Sequence, residues 1–167
     1  MLYIRNACYD ELALVLQFLK DAAIWIKERK IDYWQGWLDP PSEYVDWITE
    51  GFQNNEFYLI CQAGEAIGCF RLQWSDTMFW GRRPEPAGYI HSFAMARRLA
   101  GQHIGEQALA LIEDICMKQE KDYLRLDCGV HVTGLCHYYE ANGFSNVGET
   151  MVQGEHLKLY EKKICSL

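Results

Sequence analysis

No stretch of this chain approaches the roughly 20 consecutive apolar residues of a membrane-spanning helix, so no membrane segment is expected. It also lacks the basic start and apolar stretch of a secretory leader. Met1-Leu2-Tyr3-Ile4-Arg5 alternates instead, as a half-buried strand does. Paired cysteines are missing. The seven cysteines, Cys8, Cys61, Cys69, Cys116, Cys128, Cys136 and Cys165, are odd in number and irregular in spacing, which argues against a disulfide framework. A reducing cytoplasm is therefore the expected location. No C-x-x-C occurs, so Cys128, His131, Cys136 and His137 read as core cysteines and helix-surface histidines, and no metal is expected.

Positive charge is also scarce. Sixteen Lys and Arg stand against 23 Asp and Glu, for a net charge of -7. Nucleic acid is disfavoured as a partner, because phosphate contacts need a clustered basic face. The pairs Arg82-Arg83 and Arg97-Arg98 are too few for a duplex but enough to hold one phosphorylated ligand. The acidic balance favours a cationic acceptor or serves only solubility. Proline is sparse at four residues, and no repeat, linker or low-complexity tract appears. The 167 residues are therefore expected to form one domain, 1–167. The oligomeric state, homodimer included, stays open.

What is present is a regular alternation of elements. Leu2 to Ala7 reads as a strand, and Asp10 opens a helical stretch to about Lys30. Its stripe of Leu12, Val15, Leu16, Leu19, Ala22, Ala23 and Ile26 has the spacing of one buried helix face. Asp39-Pro40-Pro41-Ser42 halts the chain and starts a shorter helix through Ile48. Phe57 to Gln62 and Ala66 to Trp74 form a hairpin about Ala63-Gly64-Glu65. Trp74 to Pro86 is a loop, Ala87 to Met95 a strand, and Gly101 to about Glu120 an amphipathic helix. Tyr123 to Cys128 is a further strand, and Leu135 to Asn142 is a short helix that Gly143 ends. Strands near Ser145 to Val152 and His156 to Lys162 close the chain. The order β-α-α-β-β-β-α-β-α-β-β implies an α+β domain with a mixed sheet.

One segment carries chemistry. Tyr89 to Ile115, YIHSFAMARRLAGQHIGEQALALIEDI, is a strand, a turn holding Gly101, and a long helix. A glycine-bearing turn at a helix start offers backbone N–H groups and the dipole's positive end to a phosphate. The G-x-G-x-x-G of dinucleotide-binding folds is absent. This segment resembles the acetyl-CoA motif of the GNAT superfamily, a strand followed by Q/R-x-x-G-x-G/A and a helix. Leu124 to Phe144, LRLDCGVHVTGLCHYYEANGF, resembles that superfamily's second signature, which ends in Tyr-x-x-x-Gly-Phe. The resemblance covers nearly the whole chain and implies a mostly antiparallel central sheet flanked by helices. It implies an acetyl-CoA-dependent N-acetyltransferase acting on a primary amine of a small molecule. Three positions depart from the pattern: Ala100 at the usual Gln/Arg, His103 at the first Gly, and Val132 at a frequent Asn. These departures leave an alternative, a non-catalytic acyl-CoA-binding sensor or partner module.

The resemblance assigns roles. Phe93, Ala94 and Met95 would pair their backbone with the pantetheine arm. Arg98, Gly101, Gln102, His103, Ile104, Gly105 and Glu106 would surround the pyrophosphate. The ring of His103 either turns outward or adds a donor. Tyr139 would protonate the departing CoA thiolate. Tyr89, His91 and Phe93 share one strand face by alternation. Some family members place a carboxylate base at the position of Tyr89; here His91 is the nearest group with a suitable intrinsic pKa. Trp25, Tyr33, Trp34, Trp37, Trp47, Trp74 and Trp80 either wall an amine pocket or pack the core, and Trp80 is the least expected in a core.

Overall fold

The computed structural model describes residues 1–164; Cys165 lies outside the described residues. Seven strands form one sheet in the order β1-β2-β3-β4-β5-β7-β6. They are β1 (Leu2–Asn6), β2 (Phe57–Gln62), β3 (Glu65–Gln73), β4 (Ala87–Met95), β5 (Tyr123–Gly129), β6 (Ser145–Val152) and β7 (Glu155–Lys163). The helices are α1 (Leu12–Glu28), α2 (Ser42–Gln53), α3 (Ile104–Lys118) and α4 (Thr133–Ala141). Only β4 and β5 pair in parallel among the registers described; the others are antiparallel. The mixed α+β architecture is the expected one.

The chain separates into two compact units, Met1–Leu72 with Ser92–Leu109, and Gln73–His91 with the chain from Ala110 on. In the first unit, the α1 stripe supplies Val15, Phe18, Leu19 and Ala22, and α2 supplies Ile48 and Phe52. Both helices pack on Phe57, Leu59, Cys61, Cys69 and Ala94 of the strands. Trp34, Trp37 and Trp47 lie against this core, half-buried, so packing accounts for them. Burying such side chains is worth about 1.5–3 kcal/mol each. Gly68 admits a close approach of β4: a Cβ there would lie 2.7 Å from the carbonyl oxygen of Ala94.

The second unit has a smaller cluster of Trp80, Ala87, Tyr89 and Leu159. Here the structure corrects the sequence reading: Trp80 is 4% exposed. Its loop folds back, and the indole packs edge-on against Tyr89 and beneath the Arg125 guanidinium. A loop holding Gly81, Pro84 and Pro86 can still carry an anchor. Boundaries shift as well. A short 3-10 turn, Tyr9–Glu11, precedes α1, and α2 runs on to Gln53. Helix α3 begins at Ile104 rather than Gly101, because Gly101 and His103 both hold positive φ, +77° and 57°. Gly143, at φ +88°, does end α4, and the Phe144 N–H reaches back to the Tyr139 carbonyl.

The six cysteines among the described residues are free. Cys128 and Cys136 are buried and His137 is exposed on α4, as expected, whereas His131 is exposed in the turn before that helix. No helix is long and apolar enough to cross a membrane among the described residues.

Candidate active site

In the second unit, β4 and β5 pair over a short register, Ala87↔Tyr123 to Tyr89↔Arg125. Both strands continue past it, so the ladder opens at the level of Ile90 and His91. Beside the opening, Ser92 takes φ 54° inside β4, a conformation that breaks regular pairing.

Alternation decides what lies on each face of β5. Arg125 and Asp127 point to one side, with Glu161 and Leu159 as their partners on β7. Arg125 donates from Nε to Glu161 (2.7 Å), from Nη1 to the Tyr89 hydroxyl (2.9 Å) and from Nη2 to Glu85 (3.0 Å). Tyr89 is therefore held as scaffold, with its hydroxyl accepting from a buried guanidinium.

Two residues further along the same face, the chemistry changes. His91 Nε2 lies 2.7 Å from Asp76 Oδ2. Asp76 comes from the 73–86 loop, where its other oxygen accepts the Phe79 N–H at 3.1 Å, the local bond that suits Asp to a turn. The Phe79 ring lies on the imidazole, with centroids 4.7 Å apart. His91 Nδ1 faces Asp127 Oδ2 at 3.8 Å, too long for a hydrogen bond. Side-chain exposure is 10% for His91, 4% for Asp76 and 9% for Asp127. Asp127 Oδ2 is buried with no hydrogen-bond partner among the described residues. Burial pushes the Asp127 carboxyl up to about 6; His91 opposes that shift, while Asp76 and Glu155 add to it. The donor atoms of Asp76, His91 and Asp127 all lie within 4.8 Å of one another. The arrangement presents negative charge around one imidazole and suits a cation.

The opposite face of β5 carries Leu126 and Cys128, beside Tyr160 and Lys158 of β7. There α4 is attached through the Tyr160 hydroxyl, which donates to Glu140 at 2.8 Å, and through Cys128 and Cys136, whose sulfurs are 3.3 Å apart. Tyr139 is buried on this side with its ring among Tyr138, Phe144 and Tyr160. Burial drives its phenol pKa well above the ordinary value, and Cys128, Tyr138, Asp127 and Cys136 add to the effect. The phenol thus stays protonated around neutral pH. His91 and Tyr139 stand on opposite faces of β5.

The glycine-bearing turn before α3 belongs to the first unit. Arg97–Leu99 make a 3-10 turn, Gly101 and His103 turn left-handed, and α3 starts at Ile104. The N–H groups of that first turn have no partners within the helix. Gly101, Gln102 and His103 are exposed, Gly105 and Glu106 half-buried, and Ile104 buried. The His103 ring is turned out, 81% exposed, with Nδ1 3.2 Å from Glu106. Arg98 pairs with Glu65 at 2.7 Å, an exposed pair worth about 0–1 kcal/mol. Arg97 lies over the Trp25 ring, 4.5 Å from its centroid. Upstream in β4, Ala94 is buried, and Phe93 and Met95 are half-buried.

Sequence reasoning placed His91 on this strand face but missed Asp76 and Asp127. One signal for Asp127 existed. It is two residues from Arg125 in a strand of otherwise apolar residues, so both must face one side.

Residues 22–144 match the model of the acetyltransferase (GNAT) family. The uncharacterized N-acetyltransferase YesJ of Bacillus subtilis (strain 168) is 26% identical, over 97% of this chain and 90% of its own length. A GNAT family acetyltransferase from Listeria monocytogenes 4b F2365 superposes with TM-score 0.78 at 23% identity, covering 97% of this chain and 94% of its own. The aminoglycoside acetyltransferase AAC(6')-Ib, solved with coenzyme A and kanamycin, superposes with TM-score 0.74 at 15% identity, covering 98% and 95%.

Proposed function

The chain belongs to the GNAT acetyltransferase family and is an acetyltransferase, and we propose that it moves the acetyl group of acetyl-CoA onto a primary amine of a small molecule. The observation that carries this reading is His91, a nearly buried imidazole fixed by Asp76 at 2.7 Å where β4 and β5 cease to pair. Two features of the first unit fit acetyl-CoA as co-substrate. The left-handed turn at Gly101 and His103 leads into the start of α3 for the pyrophosphate. The last residues of β4, Phe93 to Met95, present an extended edge for the pantetheine amides. The likeness to an enzyme solved with coenzyme A supports the same reading. The non-catalytic alternative is not favoured.

In the proposed reaction, a carboxylate at Nε2 leaves Nδ1 of a neutral imidazole as the proton acceptor. An alkylamine is mostly protonated at neutral pH and must lose a proton to attack. Nδ1 takes that proton, and Asp76 stabilises the imidazolium that forms. The amine nitrogen bonds to the thioester carbon, the C–S bond breaks, and Tyr139 protonates the leaving thiolate. The nitrogen then loses its second proton. No cysteine is needed as nucleophile: Cys69, Cys116 and Cys128 are pushed by burial far from their ionised forms.

The test is acetyl-CoA turnover across a panel of primary amines. His91→Gln and Tyr139→Phe should each lower kcat by about 10²–10⁴-fold with little change in CoA affinity. Tyr138→Phe is the control and should change much less. Full activity of either main variant in a chemistry-limited assay would remove that residue's role.

A further inference from the structure

Helix α4 has nine residues, too few to be stable alone, so what aims Tyr139 is how that helix is tied to the sheet. Tyr139 is buried, and its ring lies among Tyr138, Phe144 and Tyr160, with centroids 5.5, 5.8 and 6.2 Å away. Apolar packing is non-directional, whereas a hydrogen bond fixes both a distance and an angle. Two side-chain ties supply that direction. Cys136 and Glu140 are one helical turn apart and share a face, and Tyr139 lies between them in the chain, next to Glu140. The Cys136 sulfur is 3.3 Å from the Cys128 sulfur on β5. Glu140 accepts the Tyr160 hydroxyl of β7 at 2.8 Å. The second tie is the stronger, because thiols are weak donors and weak acceptors.

Tyr160 is a firm point of attachment. It is fully buried, and its backbone pairs with Leu126 of β5 on one side and Asn146 of β6 on the other. Burial, then hydrogen bonds to Glu140 and Cys136, push its phenol far above the ordinary value, so it keeps its proton and stays a donor. Glu140 is exposed overall, and water alone could satisfy its carboxylate. The bond to Tyr160 instead draws the last turn of α4 onto the sheet. We propose that Tyr160, through Glu140, is a positioning residue that fixes this turn so that the adjacent Tyr139 phenol meets the CoA thiolate as it departs. This rests on Tyr139 as the general acid and adds a residue that has no exposed surface to offer a substrate. Misplacing a reacting group by about 1 Å can cost on the order of 10²-fold in rate.

The test is Tyr160→Phe, which keeps the ring and leaves Tyr139 untouched. Its kcat should fall about tenfold or more, with the KM for acetyl-CoA nearly unchanged. In a Tyr139→Phe background the same change should cost almost nothing, because two residues that act through one hydroxyl are not additive. Glu140→Ala should copy Tyr160→Phe. Glu140→Gln keeps an acceptor for the hydroxyl and should stay close to the wild-type kcat. A second readout needs no turnover: the ¹³Cζ resonance of Tyr139, assigned by its loss in Tyr139→Phe. It should move in Tyr160→Phe and Glu140→Ala, and hold its place in Glu140→Gln. An equal loss of kcat in both backgrounds, or an unmoved resonance in Tyr160→Phe, would overturn the proposal and leave the general acid standing. Full activity of Tyr139→Phe would instead remove the general-acid reading, and this proposal with it.

Discussion

Arg125 and Asp127 are two residues apart on the same face of the same strand, both buried and both ionisable. Arg125 is 3% exposed, and each of its guanidinium nitrogens is donated: one to Glu161, one to the Tyr89 hydroxyl and one to Glu85. Three aromatic rings, Trp80, Tyr89 and Tyr123, lie within 6 Å of its central carbon. Asp127 is nearly as buried but lacks a hydrogen bond at Oδ2 among the described residues. Burial alone therefore does not mark function. A satisfied buried ion is scaffold, and here it fixes the strand whose next inward residue is His91. An unsatisfied one is held by the rest of the fold at a cost.

The sharpest way to break the contrast is to remove the satisfied member. Arg125→Leu strips partners from Glu161 and Tyr89 and should destabilise the fold by about 3 kcal/mol, read by denaturant unfolding. A loss under about 1 kcal/mol would mean that Arg125 is not scaffold.

Asp127→Asn should do the opposite. The Asp127 carboxyl sits at about 6 in the folded chain, against an ordinary value of 3.8. Between pH about 4 and 6 the folded state holds a proton that the unfolded state has released, so the group's contribution falls as pH rises. Above pH 6 the ionised carboxylate is a standing cost. Asp127→Asn should therefore stabilise the protein by about 2 kcal/mol at pH 8 and have little effect below pH 4. A destabilised variant at pH 8 would mean that the carboxylate is paired after all.

The smallest effect belongs to the first unit, where strain rather than charge is local. His103 holds φ 57° with an exposed ring. His103→Gly should relieve it by up to ~1 kcal/mol and leave CoA affinity equal or slightly higher. A marked loss of CoA affinity, in calorimetric titrations at two pH values, would make the ring a phosphate ligand.

Periodicity made most of the fold legible. The α1 stripe of Val15, Leu19, Ala22 and Ala23 is the buried face in the structure, and the seven strands fall where alternation and turn residues place them. The motif turn was legible as a turn, but the left-handed His103 that delays α3 was not, because a histidine there carries no conformational signal in sequence. The site was half legible. His91 could be placed on the Tyr89 face by counting along one strand. Asp127 needed the parallel register Tyr89↔Arg125, which joins segments about 36 positions apart. Asp76 and Trp80 depend on how an irregular loop folds back, and no short-range pattern encodes that.

The most direct test of the contrast is the titration of Asp127 itself, followed by ¹³C NMR of its side-chain carboxyl in the ligand-free protein. A buried carboxyl short of hydrogen bonds should titrate with a midpoint near 6. A midpoint at or below about 4 would show a solvated or internally hydrogen-bonded carboxylate and contradict the account.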